Sequence, residues 1–180
     1  MKPSKFASPL NAQAERGKKG LKFGKDQFCS IKGAKGKLLP TDQFTLEAWV
    51  KPQIVAKGGI LSSYSLSSKT GWSLYVDSDQ HGYFKLALSE KATVEVKTAR
   101  KLTPLAWHHL AAVFDGKKVS LYLNGKKQAS ESLKGFVNYD ESNQLLLGAM
   151  LEANVKTGKA FKQNFQGEIA QFALTAKAYK

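Results

Sequence analysis

The chain has 180 residues, 42% of them hydrophobic, a length that suits one domain able to enclose its own core. A single cysteine, Cys29, excludes an intrachain disulfide, and no apolar run reaches the length needed to cross a bilayer. The formal net charge of +14, from 28 basic and 14 acidic side chains, favours encounter with polyanions. Arginine occurs only at Arg16 and Arg100, and the lysines are scattered or lie in turns. None of the recognised nucleic-acid modules is visible, so no specific nucleic acid is expected as a partner. Lysine on solvated strands and turns also keeps sheet edges from pairing, the plainer account of the charge.

The opening segment, 1–19, is rich in Lys, Ser, Ala and Pro, has little periodicity, and is expected to form a flexible lead. It lacks an apolar stretch of signal-peptide type, so an export signal is expected outside this sequence. Residues 20–180 are expected to form one domain of short strands. Predicted strands cover 20–24, 27–31, 43–51, 59–65, 71–77, 82–89, 92–98, 107–114, 118–124, 126–132, 144–150 and 165–174. The clearest signal is WHHLAAVFDGKKVSLYLNGK at 107–126, where Asp115-Gly116 and Asn124-Gly125 punctuate apolar runs as tight hairpin turns do. A short helical turn near 100–106 is the best helical candidate, interrupted by Pro104.

Alternation of period two is clean in several strands. Val119, Leu121 and Leu123 share one face, opposite Ser120 and Tyr122; Phe44, Leu46, Ala48 and Val50 do the same opposite Thr45, Glu47 and Trp49. One apolar face per strand implies two antiparallel sheets packed face to face. Twelve such strands in one domain predict an all-β jelly-roll sandwich.

The segments FTLEAWVKP (44–52), GGILSS (58–63), GWSLYVD (71–77), WHHLAAVFDG (107–116), VSLYLNGK (119–126), LLLG (145–148) and FQGEIAQFAL (165–174) resemble, in order and spacing, the laminin-G-like, concanavalin A-like jelly-roll superfamily, in particular its pentraxin-related bacterial branch. The resemblance covers about residues 20–176. It implies a lectin-like, carbohydrate-binding or adhesion module, extracellular or at the cell surface within an exported protein. For several relatives it implies a calcium ion at a loop edge. Here Ile169 is followed by Ala170 and Gln171 where an acidic pair often stands, which argues against a calcium site of that kind.

A glycosidase needs two opposed carboxyl groups. Glu95 stands alone among Val94, Val96 and Lys97, and Glu47 sits between Leu46 and Ala48, so the chain is expected not to be an enzyme. Asp77 and Asp79 straddle a turn and could offer oxygens to a hard cation, though calcium wants six or more. His108 and His109 point to opposite faces and cannot easily hold one ion. His109, sharing the parity of Trp107, Ala111 and Val113, is expected to be buried inside the sandwich; His81 is expected at the surface, and Cys29 in the core.

Sugar recognition needs a ring platform beside planar amides or carboxylates. Trp49 and Trp107 are expected in the core. Tyr75 and Tyr122 should face outward, and Trp72 is expected in the core or at the rim after Gly71. The candidate ligand-binding residues are therefore Trp72, Tyr75, Asp77, Asp79, His81, Tyr83, Tyr122 and Asn154. The expected function is non-catalytic glycan binding, with lysines adding attraction where the glycan is acidic. The alternatives are a protein-interaction module of a larger surface protein, and a polysaccharide hydrolase or lyase.

Overall fold

A computed structural model describes residues 15–16, 20–35, 39–53, 56–153 and 160–179. The lead expected over 1–19 lies outside them except at Glu15–Arg16 (β1), which pairs with Leu21–Phe23 (β2). The remaining strands are Cys29–Lys35 (β3), Phe44–Pro52 (β4), Gly58–Tyr64 (β5), Gly71–Val76 (β6), Gly82–Ala87 (β7), Thr93–Lys97 (β8), His108–Phe114 (β9), Lys118–Leu123 (β10), Lys126–Ser132 (β11), Gln144–Leu147 (β12), Ala149–Ala153 (β13), Ala160–Asn164 (β14) and Gly167–Thr175 (β15).

Seven strands form one sheet, in the order β1-β2-β15-β4-β9-β10-β11. The other sheet has eight. Its continuous path runs β13-β14-β5-β6-β7-β8, and β12 joins β5 to β3. Among the described residues pairing is antiparallel except at the β14–β5 bridge, Asn164 to Gly59. This is the two-sheet jelly-roll sandwich that the alternation predicts.

The aliphatic stripe lies where period two puts it. Phe44, Leu46, Ala48, Val50, Val119 and Leu121 are fully enclosed, and they meet Trp72, Leu74, Phe84 and Leu86 from the other sheet. Phe44 binds the layers together, its ring centroid 6.2 Å from Trp72 and 5.6 Å from Phe114. Burial of each Phe, Leu or Val among them contributes about 1.5–3 kcal/mol. Cys29 is a small buried core residue, as expected.

Two turns explain the hairpins. Asp115 Oδ1 accepts the N–H groups of Lys117 and Lys118 at 3.0 and 2.8 Å, which closes β9 onto β10. Asn124 and Gly125 both take positive φ, 50° and 73°, the geometry of a two-residue hairpin turn matched to strand twist.

Three expectations need correction. The apolar run 144–150 is two strands rather than one, broken at Gly148 (φ +81), which turns the chain past the Phe23 ring. The polar strand β14 carries no alternation and was not predicted; it is held by its pairing with β13. Residues 100–106 form a turn, not a helical one: Leu105 sits at φ 61 and donates its N–H to Pro52 O at 2.7 Å.

Candidate functional site

Strands β6, β7 and β8 send alternate side chains to opposite faces of the larger sheet. Trp72, Leu74, Val76, Phe84, Leu86 and Val96 enter the core. Ser73, Tyr75, Tyr83, Lys85 and Glu95 stand on the other side, in register: Tyr75 opposite Tyr83, Ser73 opposite Lys85, Lys85 opposite Glu95. There they line a groove of about 560 Å³, walled by Lys57, Tyr64, Leu66 and Asp77 and, from β13, by Met150, Leu151 and Glu152.

The groove is cross-braced. The rings of Tyr75 and Tyr83 stack with centroids 5.1 Å apart and planes 14° apart. Tyr75 donates its hydroxyl to Glu95 Oε2 at 2.8 Å, a diagonal that spans β7. Tyr83 donates to Asp79 Oδ2 at 2.6 Å. Lys57 Nζ lies 5.3 Å from the Tyr75 ring centre and pairs with Glu152, while Lys85 Nζ lies 5.2 Å from that of Tyr64. Each contact fixes a polar group at a set position, the preorganisation that a binding site uses.

The phenols are held as donors. Burial first, then the bond to Glu95 and the charges of Glu95 and Asp77, push the Tyr75 hydroxyl far above its ordinary range. The bond to Asp79, then burial, pushes Tyr83 up to about 12. Burial works against the charge on Asp79. The Tyr83 hydroxyl and His81 N–H outweigh it, with His81 and Lys97 charges adding, and hold that carboxyl below its usual range.

The groove brings together three of the eight candidate residues, Tyr75, Asp77 and Tyr83, with Asp79 bonded to Tyr83 in the adjoining turn. Tyr75 does face away from the core, yet only 3% of it meets solvent, because Tyr83 and Lys57 cover its ring. His81 is half-buried, its Nδ1 2.5 Å from Thr98 O. Trp72 is a core residue and not a rim residue, fully enclosed and donating Nε1–H to the Tyr139 hydroxyl. Tyr122 lies on the outer face of the other sheet, between Ala111 and Lys127, and does not join the groove. Asn154 lies outside the described residues.

Sequence reasoning missed Lys57, Lys85, Leu151 and Glu152, and read Glu95 only as an isolated acid. Lys85 and Glu95 share the parity of Tyr75 and could have been found once β6, β7 and β8 were paired. Nothing in the sequence signals that β13 brings Glu152 to Lys57.

The smaller sheet overturns three further expectations. Trp49 is 38% exposed and Trp107 half-buried; neither is a core residue. The histidines are reversed. His108 is the buried one, its Nε2 3.0 Å from both the N and the O of Thr103. His109 faces out, its ring 5.3 Å from Trp49 and its Nε2 3.3 Å from Glu47 Oε2. The reason is parity: the apolar run Leu110, Ala112 and Phe114 takes His108 inward with it.

A calcium ion does not fit the residues described. No group of three His, Cys, Asp or Glu converges among the described residues. Asp77 Oδ1 accepts from Ser78, and Asp79 is committed to His81, Tyr83 and Lys97. At the closing strand, Ala170 is buried and Gln171 sits at a bulge, and the strand's acid, Glu168, pairs with Lys51.

Comparison with known proteins follows from this architecture. The family model of the concanavalin A-like lectin/glucanases superfamily matches residues 23–179. This chain belongs to that superfamily. Pappalysin-1 of Mus musculus is 30% identical over 154 residues, 76% of this chain but 9% of its own length, so the chain spans under a tenth of that relative. Among solved structures, the CBM40 of the Ruminococcus gnavus IT-sialidase, bound to alpha2,3 sialyllactose, superposes with a TM-score of 0.70. It shares 14% identity over 91% of this chain and 92% of that one. Domain 4 of AbnA, an extracellular arabinanase of Geobacillus stearothermophilus in complex with arabinotriose, gives a TM-score of 0.68. It shares 17% identity over 96% of this chain and 78% of that one. At these identities the superpositions establish the shared fold.

Proposed function

We propose that this superfamily member is a non-catalytic module that binds glycan in the groove on the outer face of the larger sheet. The observation that carries the reading is the row of braced polar side chains across β6, β7 and β8. Lys85, Glu95, Ser73 and Asp77 converge on a groove whose tyrosine hydroxyls are already tied to carboxylates. A sugar's hydroxyls would exchange hydrogen bonds with those four, and the aliphatic wall of Leu66, Met150 and Leu151 would meet its C–H surface. The carboxylates are engaged, Glu95 with Tyr75, Glu152 with Lys57 and Asp77 with Ser78, which supports holding a ligand over transferring protons.

The groove walls hold two ammonium groups and three carboxylates, and one of each pairs off as Lys57–Glu152. That lining favours a neutral glycan; preference for an acidic one is supported only by the charge of the chain as a whole. The sialyllactose and arabinotriose bound by two superposed modules, and the extracellular setting of one, support both the ligand class and a place outside the cell as part of an exported protein. Among the described residues no helix is long and apolar enough to cross a membrane.

A broad array of neutral and acidic glycans, followed by calorimetry with and without calcium, tests the proposal. Binding to at least one glycan is expected, unchanged by calcium and reduced about tenfold by Lys85→Ala or Glu95→Gln. Silence across the array overturns it, and retention of a stable protein complex instead would make this a protein-interaction module.

A further inference from the structure

The outer face of the smaller sheet carries a second cleft, of about 540 Å³, lined by Trp49, Trp107, His109, Asn124 and Gly125. Trp49 is a ladder neighbour of Ala170 on one side and His109 on the other. Ala170 is too short to cover an indole, and Trp49 is 38% exposed. The cleft wall is held in place from behind. Glu47 binds His109 Nε2, the His109 ring leans on Trp49, and His109 N–H donates to Asn124 Oδ1 at 2.8 Å while Asn124 N–H returns to His109 O at 2.8 Å. Those bonds leave the Asn124 amide NH₂ and both indole N–H groups without a hydrogen-bond partner among the described residues.

We infer that this corner is a second saccharide platform, which takes one neutral sugar ring stacked on the Trp49 indole. The chemistry matches on each side of such a ring. A flat exposed π-face meets the apolar C–H face of a pyranose or furanose, and the Asn124 amide, held by its Oδ1, can donate to a hydroxyl oxygen beside it. The cleft is lined by no Lys, Arg, Asp or Glu, and nearby Lys51 pairs with Glu168 at 3.0 Å, so little here favours an ionic ligand. A protein partner would need a wider apolar field than it has. Among the described residues the other large exposed hydrophobics are Leu105, Phe136 and Tyr179, and none of them lines the cleft. With the groove on the opposite sheet, the module would present two faces to a polysaccharide and bridge chains, gaining avidity from modest single sites.

The test uses laminaripentaose, chitopentaose and xylopentaose, each titrated separately against the full chain and three variants, Trp49→Ala, Trp49→Phe and Lys85→Ala. Acrylamide quenching of tryptophan fluorescence and calorimetry are the two readouts. Trp72 is enclosed and the groove lining holds no tryptophan, so quenching reports the corner indoles and calorimetry reports both sites. At least one pentasaccharide should protect the wild type and Lys85→Ala alike from quenching. Affinity by calorimetry should fall about tenfold for that sugar in Trp49→Ala and recover in part in Trp49→Phe, which keeps a ring. Absence of protection by all three sugars, or unchanged affinity in Trp49→Ala, overturns the inference. Calorimetric binding without protection, lost in Lys85→Ala, places the sugar in the groove alone and overturns it too.

Discussion

Trp72 hands its indole proton to Tyr139 at 2.9 Å, and Tyr139 passes its own to the carbonyl of Pro40 at 3.0 Å. This relay ties the larger sheet to two loops through polar atoms that are enclosed at Trp72 and part-buried at Pro40. Such atoms are costly when left unpaired. Replacing Tyr139 by Phe strands both the Trp72 N–H and the Pro40 oxygen. The variant should fold and lose about 1–3 kcal/mol in urea titration. An unchanged midpoint would mean that the relay is not made in solution.

Gly148 tests the break between β12 and β13. Its φ of +81 is unfavourable for any side chain, and a Cβ there would lie 2.5 Å from the Phe23 ring. Gly148→Ala should cost more than about 1 kcal/mol. The doubly substituted Gly148→Ala, Phe23→Leu protein should show a smaller penalty than the sum of the singles, because the clash is shared. Strict additivity would show that the backbone angle alone sets the cost.

The phenol of Tyr83 provides a pH signature. Its folded value is about 12, raised above an unfolded value of about 10. A raised value means that the contribution to stability is complete below the unfolded value and is lost as pH climbs through the folded one. Stability attributable to this group should therefore be level up to about pH 10 and fall between about 10 and 12. Absorbance titration at alkaline pH checks it: among six tyrosines, Tyr83→Phe should remove one late-ionising component.

Cys29, the first residue of β3, is buried, and burial raises its thiol above the ordinary value. Both effects suppress the thiolate and its access to reagent. An aromatic disulfide reagent should label the native protein slowly and the urea-unfolded protein at once. Labelling at the unfolded rate under native conditions would show that β3 opens locally.

How much could be read in advance depends on the range of the interaction concerned. Alternation in Phe44–Val50 and Val119–Leu123 is a property of neighbouring residues, so the strands, the buried face and the two punctuated hairpins followed from the sequence. Hairpin chemistry at Asp115-Gly116 and Asn124-Gly125 is equally local. For His109 the alternation rule admits two phases. Parity with Trp107, Ala111 and Val113 points it inward, whereas the apolar run Leu110, Ala112 and Phe114 turns it outward and is the phase that wins. Trp49 lies outward by its own alternation, although its family-like run suggests the core. What no local rule contains is which strands lie side by side. The groove depends on β7 joining β6 to β8, which carries Lys85 and Glu95 up to Tyr75. It depends equally on β13 crossing to bring Glu152 to Lys57.

Residues that meet the core must be apolar, so burial writes itself into the order of side chains. A binding face has only to be soluble, and Lys, Glu, Ser and Tyr satisfy that wherever they stand. Should tryptophan at position 49 prove shielded from quencher in the free protein, the division of this molecule into an enclosed interior and two usable outer surfaces would fail.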